Sequence, residues 1–333
     1  LIKTQSQYSS LSPQFVGEAV RANIQLSQTE TVHERTSASE ALPPLTIAIP
    51  TYNRCQSVVA LVQQLTPQLR PEDELLVVDD GSQDNTAKAL HNLTQVRLVS
   101  NPSNCGMVKT WNRCLAAASH DWICMIHDDD RVALTALQTI RRACVLVGEP
   151  ALIAHRSVDS HLDQAFRYRL AEPGAWAVLN TTTTPSGVTL HRSIVEAIGG
   201  FNEQFTYSCD LEYLARICAR YPSLIIESPE LLYYNQHDQN YQYKTWRKDD
   251  FWQQLEMIER TILSHADLNA DTEQYFRDRM SSYAQHMLKT AAQAKDRTLL
   301  RHVGSMLWKQ PCLGRRVRLS AGVAAVANTY VEL

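Results

Sequence analysis

LTIAIPTYNR (Leu45–Arg54), ELLVVDDGSQDNT (Glu74–Thr86) and WICMIHDDDR (Trp122–Arg131) decide how this chain folds. Each opens on a short apolar run and closes on polar or acidic residues. A run that is apolar on both faces suits a strand buried in a parallel sheet. Between them, CQSVVALVQQL (Cys55–Leu65), DNTAKALHNL (Asp84–Leu93) and GMVKTWNRCLAAA (Gly106–Ala118) repeat their apolar positions at helical spacing, and VRLVS (Val96–Ser100) adds another strand. Strands alternating with helices predict an α/β unit with a mostly parallel central sheet covered by helices. Such sheets bind ligands outside the carboxyl ends of their strands. Thr51, Tyr52, Asn53 and Arg54 fall at one such end, Asp79 and Asp80 at a second, and Asp128, Asp129 and Asp130 at a third.

Further along, ALIAHRSVDS (Ala151–Ser160), AFRYRL (Ala165–Leu170), SLIIES (Ser223–Ser228) and LLYYNQ (Leu231–Gln236) read as strands. SGVTLHR (Ser186–Arg192) reads as a strand leading into a helix that Gly199-Gly200 stops, and CDLEYLARICARY (Cys209–Tyr221) reads as a helix. Beyond Trp246 the pattern is helical, through Asp296–Trp308. Ahead of all this, residues 1–42 are rich in Ser, Thr, Gln and Glu, with one helix expected near Gln14–Gln25, and Pro43-Pro44 marks a stiff boundary.

Composition narrows the function. The 333 residues carry 32 Lys and Arg against 35 Asp and Glu, a formal net charge of −3, which lacks the basic excess of a dedicated nucleic-acid binder. With 44% apolar residues the chain is not a disordered one. No apolar run approaches the ~18 residues of a spanning helix. The eight cysteines form no C-x-x-C pair, so buried free thiols are expected rather than a zinc or disulfide framework. Leu1 opens no basic-then-apolar export pattern, and cytoplasmic residence is expected.

Adjacent carboxylates repel one another, so Asp128-Asp129-Asp130 at a strand end calls for a cation. Oxygen ligands suit Mg²⁺ or Mn²⁺, which would bridge to a diphosphate; a solvated acidic turn is the alternative. In VVDDGSQDNT (Val77–Thr86), Gly81 supplies a turn, Asp84 a helix cap, and Asp80 a carboxylate able to accept from a base N–H.

IPTYNR (Ile49–Arg54), VVDDGSQDNT, NCGMVKTWN (Asn104–Asn112), IHDDDR (Ile126–Arg131) and GGFNEQFTYSCDLEYLAR (Gly199–Arg216) stand in the order seen in family 2 glycosyltransferases, and residues 45–240 resemble that family. The resemblance implies the GT-A fold with a C-terminal helical extension. It implies a catalytic unit over residues 43–245, with a nucleotide-sugar part (43–131) and an acceptor part (132–245), followed by a helical region over 246–333. No Gln-x-x-Arg-Trp element follows Cys209–Tyr221, which sets the chain apart from processive polysaccharide synthases.

The resemblance also assigns roles. Pro50, Thr51, Tyr52 and Arg54 would surround the nucleotide, with Tyr52 against the base and Asp80 reading the base edge. Asn104, Gly106 and Lys109 would line the donor pocket. Asp128 and Asp129 would lie near the ribose or donor sugar, and Asp130 would hold the metal with His237. An acid of the family motif is replaced by His127, so the motif reads either as Asp128-x-Asp130 or as the last pair. Asp210 matches the second acid of a pair whose first member is Cys209 here, and would be the general base of an inverting transfer; Glu212 is a second candidate. Trp176, His191 and the stretch Tyr233–Trp246 would line an acceptor pocket or pack in the core.

The expected donor is a UDP- or dTDP-sugar and the acceptor a hydroxyl of a glycan or lipid-linked glycan. The basic, partly apolar tail Trp308–Ala327 reads three ways: resting on the inner face of a membrane, packing on the catalytic unit, or packing on another copy in a homo-oligomer. Two rival functions are a catalytically idle nucleotide-sugar-binding scaffold and a nucleotidyltransferase. The latter needs a glycine-rich triphosphate loop, which IPTYNR does not resemble.

Overall fold

A computed structural model describes residues 41–157, 167–173, 186–206, 209–228 and 231–233, then helical positions between 253 and 292, residues 297–309 and residues 319–322. The expectations for residues 1–40, Trp176, His237 and most of Tyr233–Trp246 lie outside the described residues. The chain divides into two compact units, one within Gln28–Asn240 and one formed largely by the C-terminal part.

The first unit is the α/β one. Its strands are β1 (Leu45–Thr51), β2 (Glu74–Asp79), β3 (Val96–Ser100), β4 (Trp122–Met125), β5 (Arg131–Val132), β6 (Leu152–Ser157), β7 (Arg167–Ala171), β8 (Thr189–His191), β9 (Ser223–Ser228) and β10 (Leu232–Tyr233). The helices are α1 (Cys55–Leu65), α2 (Thr86–His91), α3 (Met107–Ala117), α4 (Ala136–Val147), α5 (Arg192–Ile198) and α6 (Cys209–Cys218).

Eight strands form one sheet in the order β3-β2-β1-β4-β8-β6-β9-β7. β1 pairs in parallel with β2 and β4, β2 with β3, and β6 with β9, while β8 and β7 run against their neighbours. The carboxyl ends of β1, β2, β3, β4, β6 and β9 therefore share one edge. Ile47, Ile49, Val77 and Ile153 pack under Val58, Leu61 and Ile140 from the helices, so strand and helix each bury an apolar face. Pro50 fits inside β1 because the ladder to β4 ends at Ala48↔Met125, where a missing N–H costs nothing.

Three local outcomes differ from the sequence reading. The fourth strand was expected to run through Asp130, yet β4 ends at Met125 and the chain turns, with Asp130 N–H donating to His127 O at 3.2 Å. Strand extension would have pointed successive carboxylates along one ladder; the turn gathers them instead. Helix α4 was not anticipated, although Ala136, Leu137, Ile140, Ala143 and Cys144 form a buried stripe at helical spacing. Of LLYYNQ, Leu232–Tyr233 are described as a strand, and they pair with β5 outside the main sheet.

The described part of the second unit is helical. Helix α7 (Arg297–Trp308) buries Leu300, Val303 and Leu307, and Gly322 lies so close to the Trp308 ring that a Cβ there would meet it at 2.5 Å. No helix among the described residues is long and apolar enough to cross a membrane.

Candidate active site

Thr51 ties two strand tips together. Its carbonyl accepts from Asp80 N–H at 2.9 Å, and its hydroxyl donates to Asp128 Oδ2 at 2.7 Å. The loops beyond β1 and β2 are also locked to each other. Asn53, at φ 52°, accepts from Gln83 N–H through Oδ1 at 2.7 Å and donates its own N–H to Ser82 Oγ at 2.8 Å. Asp84, one residue ahead of the N-cap position Asn85, takes Thr86 N–H at 2.9 Å and also Cys55 N–H at 3.2 Å, while the N-cap position itself makes no side-chain cap. Gly81 needs its identity twice over. Its φ is +72°, and a Cβ would lie 2.7 Å from the Ser103 backbone.

Asp80 is 3% exposed and faces the following loop. Oδ1 accepts from Asn101 Nδ2 at 2.7 Å, Cys105 N–H at 2.8 Å and Cys105 Sγ at 3.0 Å, and Oδ2 accepts from Gly106 N–H at 3.0 Å. Burial pushes its pKa upward, but these donors outweigh burial and hold it below the usual carboxylate value. Asp80 thus fixes the loop that carries Asn104, Gly106 and the start of α3. Asn104 and Lys109 are exposed there, as is Tyr52, at 41%, on the β1 tip.

The acidic turn after β4 is the charged centre. Arg54 Nη1 lies 2.9 Å from Asp128 Oδ1 and 2.5 Å from Asp129 Oδ2, so one guanidinium bridges two neighbouring carboxylates. Asp128 is 5% exposed; burial pushes it up to about 6, against the pull of Arg54 and the Thr51 hydroxyl. The ligand atoms of His127, Asp129 and Asp130 lie within 4.8 Å of one another. His127 is pushed down to about 4 by burial, with Asp129 opposing and Arg54 adding to the effect, so it is neutral at pH 7. Its Nε2 is buried without a hydrogen-bond partner among the described residues. A histidine with a buried, unpartnered ring nitrogen, grouped with two carboxylates, is a donor set that fits a divalent cation.

Helix α6 reaches this centre through α3. Asn112 clasps the segment ahead of α6: Oδ1 accepts Phe201 N–H at 2.7 Å, and Nδ2 donates to Phe201 O at 2.9 Å. Gly200 lies where a Cβ would meet Asn112 Oδ1 at 2.3 Å, which explains the second glycine of GGF. Arg216 donates to Ile198 O at 2.7 Å and Gly200 O at 2.6 Å. A line of rings runs from His127 to Trp111 (5.1 Å), Phe201 (5.1 Å) and Tyr213 (4.4 Å). Asp210 stands in the first turn of α6, three residues before Tyr213 and on the same side of the helix.

Two sequence candidates are placed elsewhere. His191 pairs opposite Trp122, at the amino end of β4, so the length of that strand separates it from the acids, and it cannot line an acceptor pocket at the carboxyl edge. Its ring instead packs edge-on against Trp122, with Nε2 3.1 Å from Glu149. Glu212 is buried and held by Arg216 at 2.6 and 3.1 Å, which makes it a brace of the helix rather than a base. Sequence reasoning missed the roles of Trp111 and Asn101, and it saw His127 only as a departure from the family pattern. The place of His127 directly ahead of three acids was the available signal.

A mostly parallel sheet with acids gathered at its carboxyl edge defines a GT-A type nucleotide-diphospho-sugar transferase fold. S. aureus TarS, solved as residues 1–349 in complex with UDP-GlcNAc, shares it with a TM-score of 0.65 and 16% identity, covering 84% of this chain and 87% of that one. A mannosyltransferase from Pyrobaculum calidifontis, solved with GDP-Man and Mn²⁺, has a TM-score of 0.55 and 16% identity over 94% of this chain and 93% of its own. Residues 46–172 match the model of glycosyl transferase family 2, and this part of the chain is a family 2 glycosyltransferase domain.

An uncharacterized protein of Mycobacterium tuberculosis is 27% identical over 206 residues, 55% of this chain and 65% of that protein. An uncharacterized glycosyltransferase of Haemophilus influenzae is 31% identical over 26% of this chain and 29% of its own length. A PGL/p-HBAD biosynthesis glycosyltransferase of Mycobacterium bovis is 24% identical over 56% of this chain and 73% of its own. The chain thus spans less than two thirds of the first two of these relatives.

Proposed function

We propose that this chain is a metal-assisted, inverting glycosyltransferase that moves one sugar from a nucleotide-diphosphate donor, with UDP or dTDP as carrier, to a hydroxyl of a glycan or lipid-linked glycan. The observation that carries this reading is Thr51, whose carbonyl and hydroxyl join the Asp80 tip to the turn that holds Asp128, Asp129 and Asp130. Pro50, Thr51, Tyr52 and Arg54 form the nucleotide side, with Tyr52 offering a ring to the base. The loop held by Asp80, with Asn104, Gly106 and Lys109, forms the opposite wall, and Asp80 Oδ2 keeps lone-pair capacity for a base N–H. Asp128 and Asp129 border the ribose and donor sugar.

Asp130 and His237 are proposed to hold a divalent cation together with the acidic turn; β10, which leads toward His237, places Tyr233 opposite Arg131, next to Asp130. A bound cation offsets the charge that grows on the departing diphosphate. Asp210 takes the proton from the acceptor hydroxyl as that oxygen attacks the anomeric carbon on the face opposite the leaving group. Action at the inner face of a membrane, through the C-terminal region or as a homo-oligomer, belongs to the same proposal. The idle-scaffold reading has the Cys209 substitution in its favour.

Release of nucleoside diphosphate from a panel of nucleotide sugars with Mn²⁺ tests the proposal. Turnover is expected in the wild type, and Asp130→Ala should weaken Mn²⁺-dependent nucleotide binding at least about tenfold by calorimetry. Binding without turnover on any acceptor would favour the scaffold; unchanged affinity in Asp130→Ala would contradict the metal role.

A further inference from the structure

His127 and Trp111 take this site away from an all-carboxylate pattern. The imidazole stacks on the indole at 5.1 Å with 23° between the planes, and the indole is fixed in turn by Phe201. A ring clamped on one face cannot turn freely. Its Nε2 is buried without a hydrogen-bond partner among the described residues, and the ring lies in the group whose ligand atoms approach within 4.8 Å of the Asp129 and Asp130 carboxylates. Buried polar atoms in native proteins have partners, so an orphan ring nitrogen on a histidine grouped with two acids is unusual.

Mg²⁺ takes oxygen ligands and water almost exclusively. Imidazole nitrogen suits transition metals, whose affinity rises from Mn²⁺ to Co²⁺ and beyond. We propose that His127 is a nitrogen ligand of the cation, oriented by Trp111, and that this ligand sets the site's preference for Mn²⁺ or Co²⁺ over Mg²⁺. Trp111 is a positioning residue here: it touches the ligand, not the metal. The inference rests on the cation-assisted reading above and goes beyond it to which metal is chosen and by which side chain.

Pulsed electron paramagnetic resonance of Mn²⁺ with the full chain, with and without UDP, reads the ligand directly. A coordinated imidazole imprints ¹⁴N modulation on the Mn²⁺ echo. The modulation is expected in the wild type and in His237→Gln, where the His127 imidazole is the one that remains, and is lost in the His127→Gln/His237→Gln double variant. Calorimetry should show the Mn²⁺-over-Mg²⁺ affinity ratio falling at least about tenfold in His127→Asp, which exchanges a nitrogen ligand for an oxygen one. Trp111→Leu should weaken Mn²⁺ about 10–100-fold, as loss of a ligand's support does, while Trp111→Phe, which keeps a stacking face, restores most of it.

Bound Mn²⁺ without ¹⁴N modulation in His237→Gln, or modulation that is as strong in the double variant, would overturn the inference and leave the cation-assisted reading intact. An unchanged spectrum and metal ratio in Trp111→Leu would remove Trp111 from it. Absence of any Mn²⁺ binding, with or without UDP, would remove both the inference and the cation itself. The His237→Gln spectrum decides the ligand question even if a His127 variant fails to fold.

Discussion

The two edges of the central sheet treat acids in opposite ways. At the amino edge Glu74 and Asp73 are surrounded by donors. Glu74 accepts from Thr46 Oγ1 at 2.6 Å, Arg97 at 2.6 Å, and the Ser119 amide and hydroxyl at 2.8 and 2.7 Å. Asp73 accepts from Leu45 N–H at 3.0 Å and Arg70 N–H at 2.7 Å, and pairs with the buried Arg141. At the carboxyl edge Asp128, Asp129 and Asp130 crowd into one turn beside His127, and a single guanidinium bridges two of them. The first edge holds the sheet together; the second stores an arrangement that a cation and a diphosphate would complete.

Breaking each edge should give different symptoms. Asp210→Asn, on the functional side, is expected to lower transfer about 10²–10⁴-fold, the usual worth of a general base, with nucleotide affinity and melting temperature unchanged. Turnover near wild type would remove Asp210 from the mechanism. Asp73→Ala, on the structural side, strips the partner from a buried Arg141 and should cost about 3–5 kcal/mol in urea unfolding. Protein that remains folded should bind nucleotide as before; a selective loss of nucleotide affinity would blur the contrast between the edges.

The smallest expected effect is on pH dependence. Burial raises the Glu74 carboxyl, but its hydrogen bonds from Thr46, Ser119 and Arg97 outweigh this and hold it below the ordinary value. A depressed carboxyl adds stability that is present above its unfolded value and is lost as the pH falls through its folded value. Glu74→Gln should therefore lower the melting temperature at pH 7 by a few degrees and flatten the fall between pH 5 and pH 3, in ~0.5–1.5 kcal/mol worth of hydrogen bonding. An acid limb as steep as that of the wild type would assign the loss to other carboxylates. Asp128 works the other way: its raised value means that stability is gained, not lost, as the pH drops through about 6.

Much of this was readable from the chain. Apolar runs such as LTIAIP and ELLVVD place β1 and β2 to within a residue, because strands buried on both faces have no polar positions to blur their ends. The acids that close those runs marked the carboxyl edge. Partners distant in sequence were not readable: Asn112 on Phe201, Trp111 on His127, and Arg216 on Glu212 depend on how α3 and α6 approach. His191 shows the same limit. A histidine beside a strand looks alike at either end of it, and only the antiparallel pairing of β8 with β4 sends it to the wrong edge. Helix α4 was missed because Arg141 and Arg142 interrupt its apolar stripe; Arg141 turns inward to Asp73 and is buried.

Thermal unfolding of the full chain across a panel of nucleotide sugars, with and without Mn²⁺, weighs the central claim, since only ligand bound to the folded state raises the transition. The carboxyl-edge site predicts that at least one UDP- or dTDP-sugar shifts the melting temperature upward when Mn²⁺ is present, and far less after chelation. A panel that leaves the transition unmoved under both conditions would contradict it.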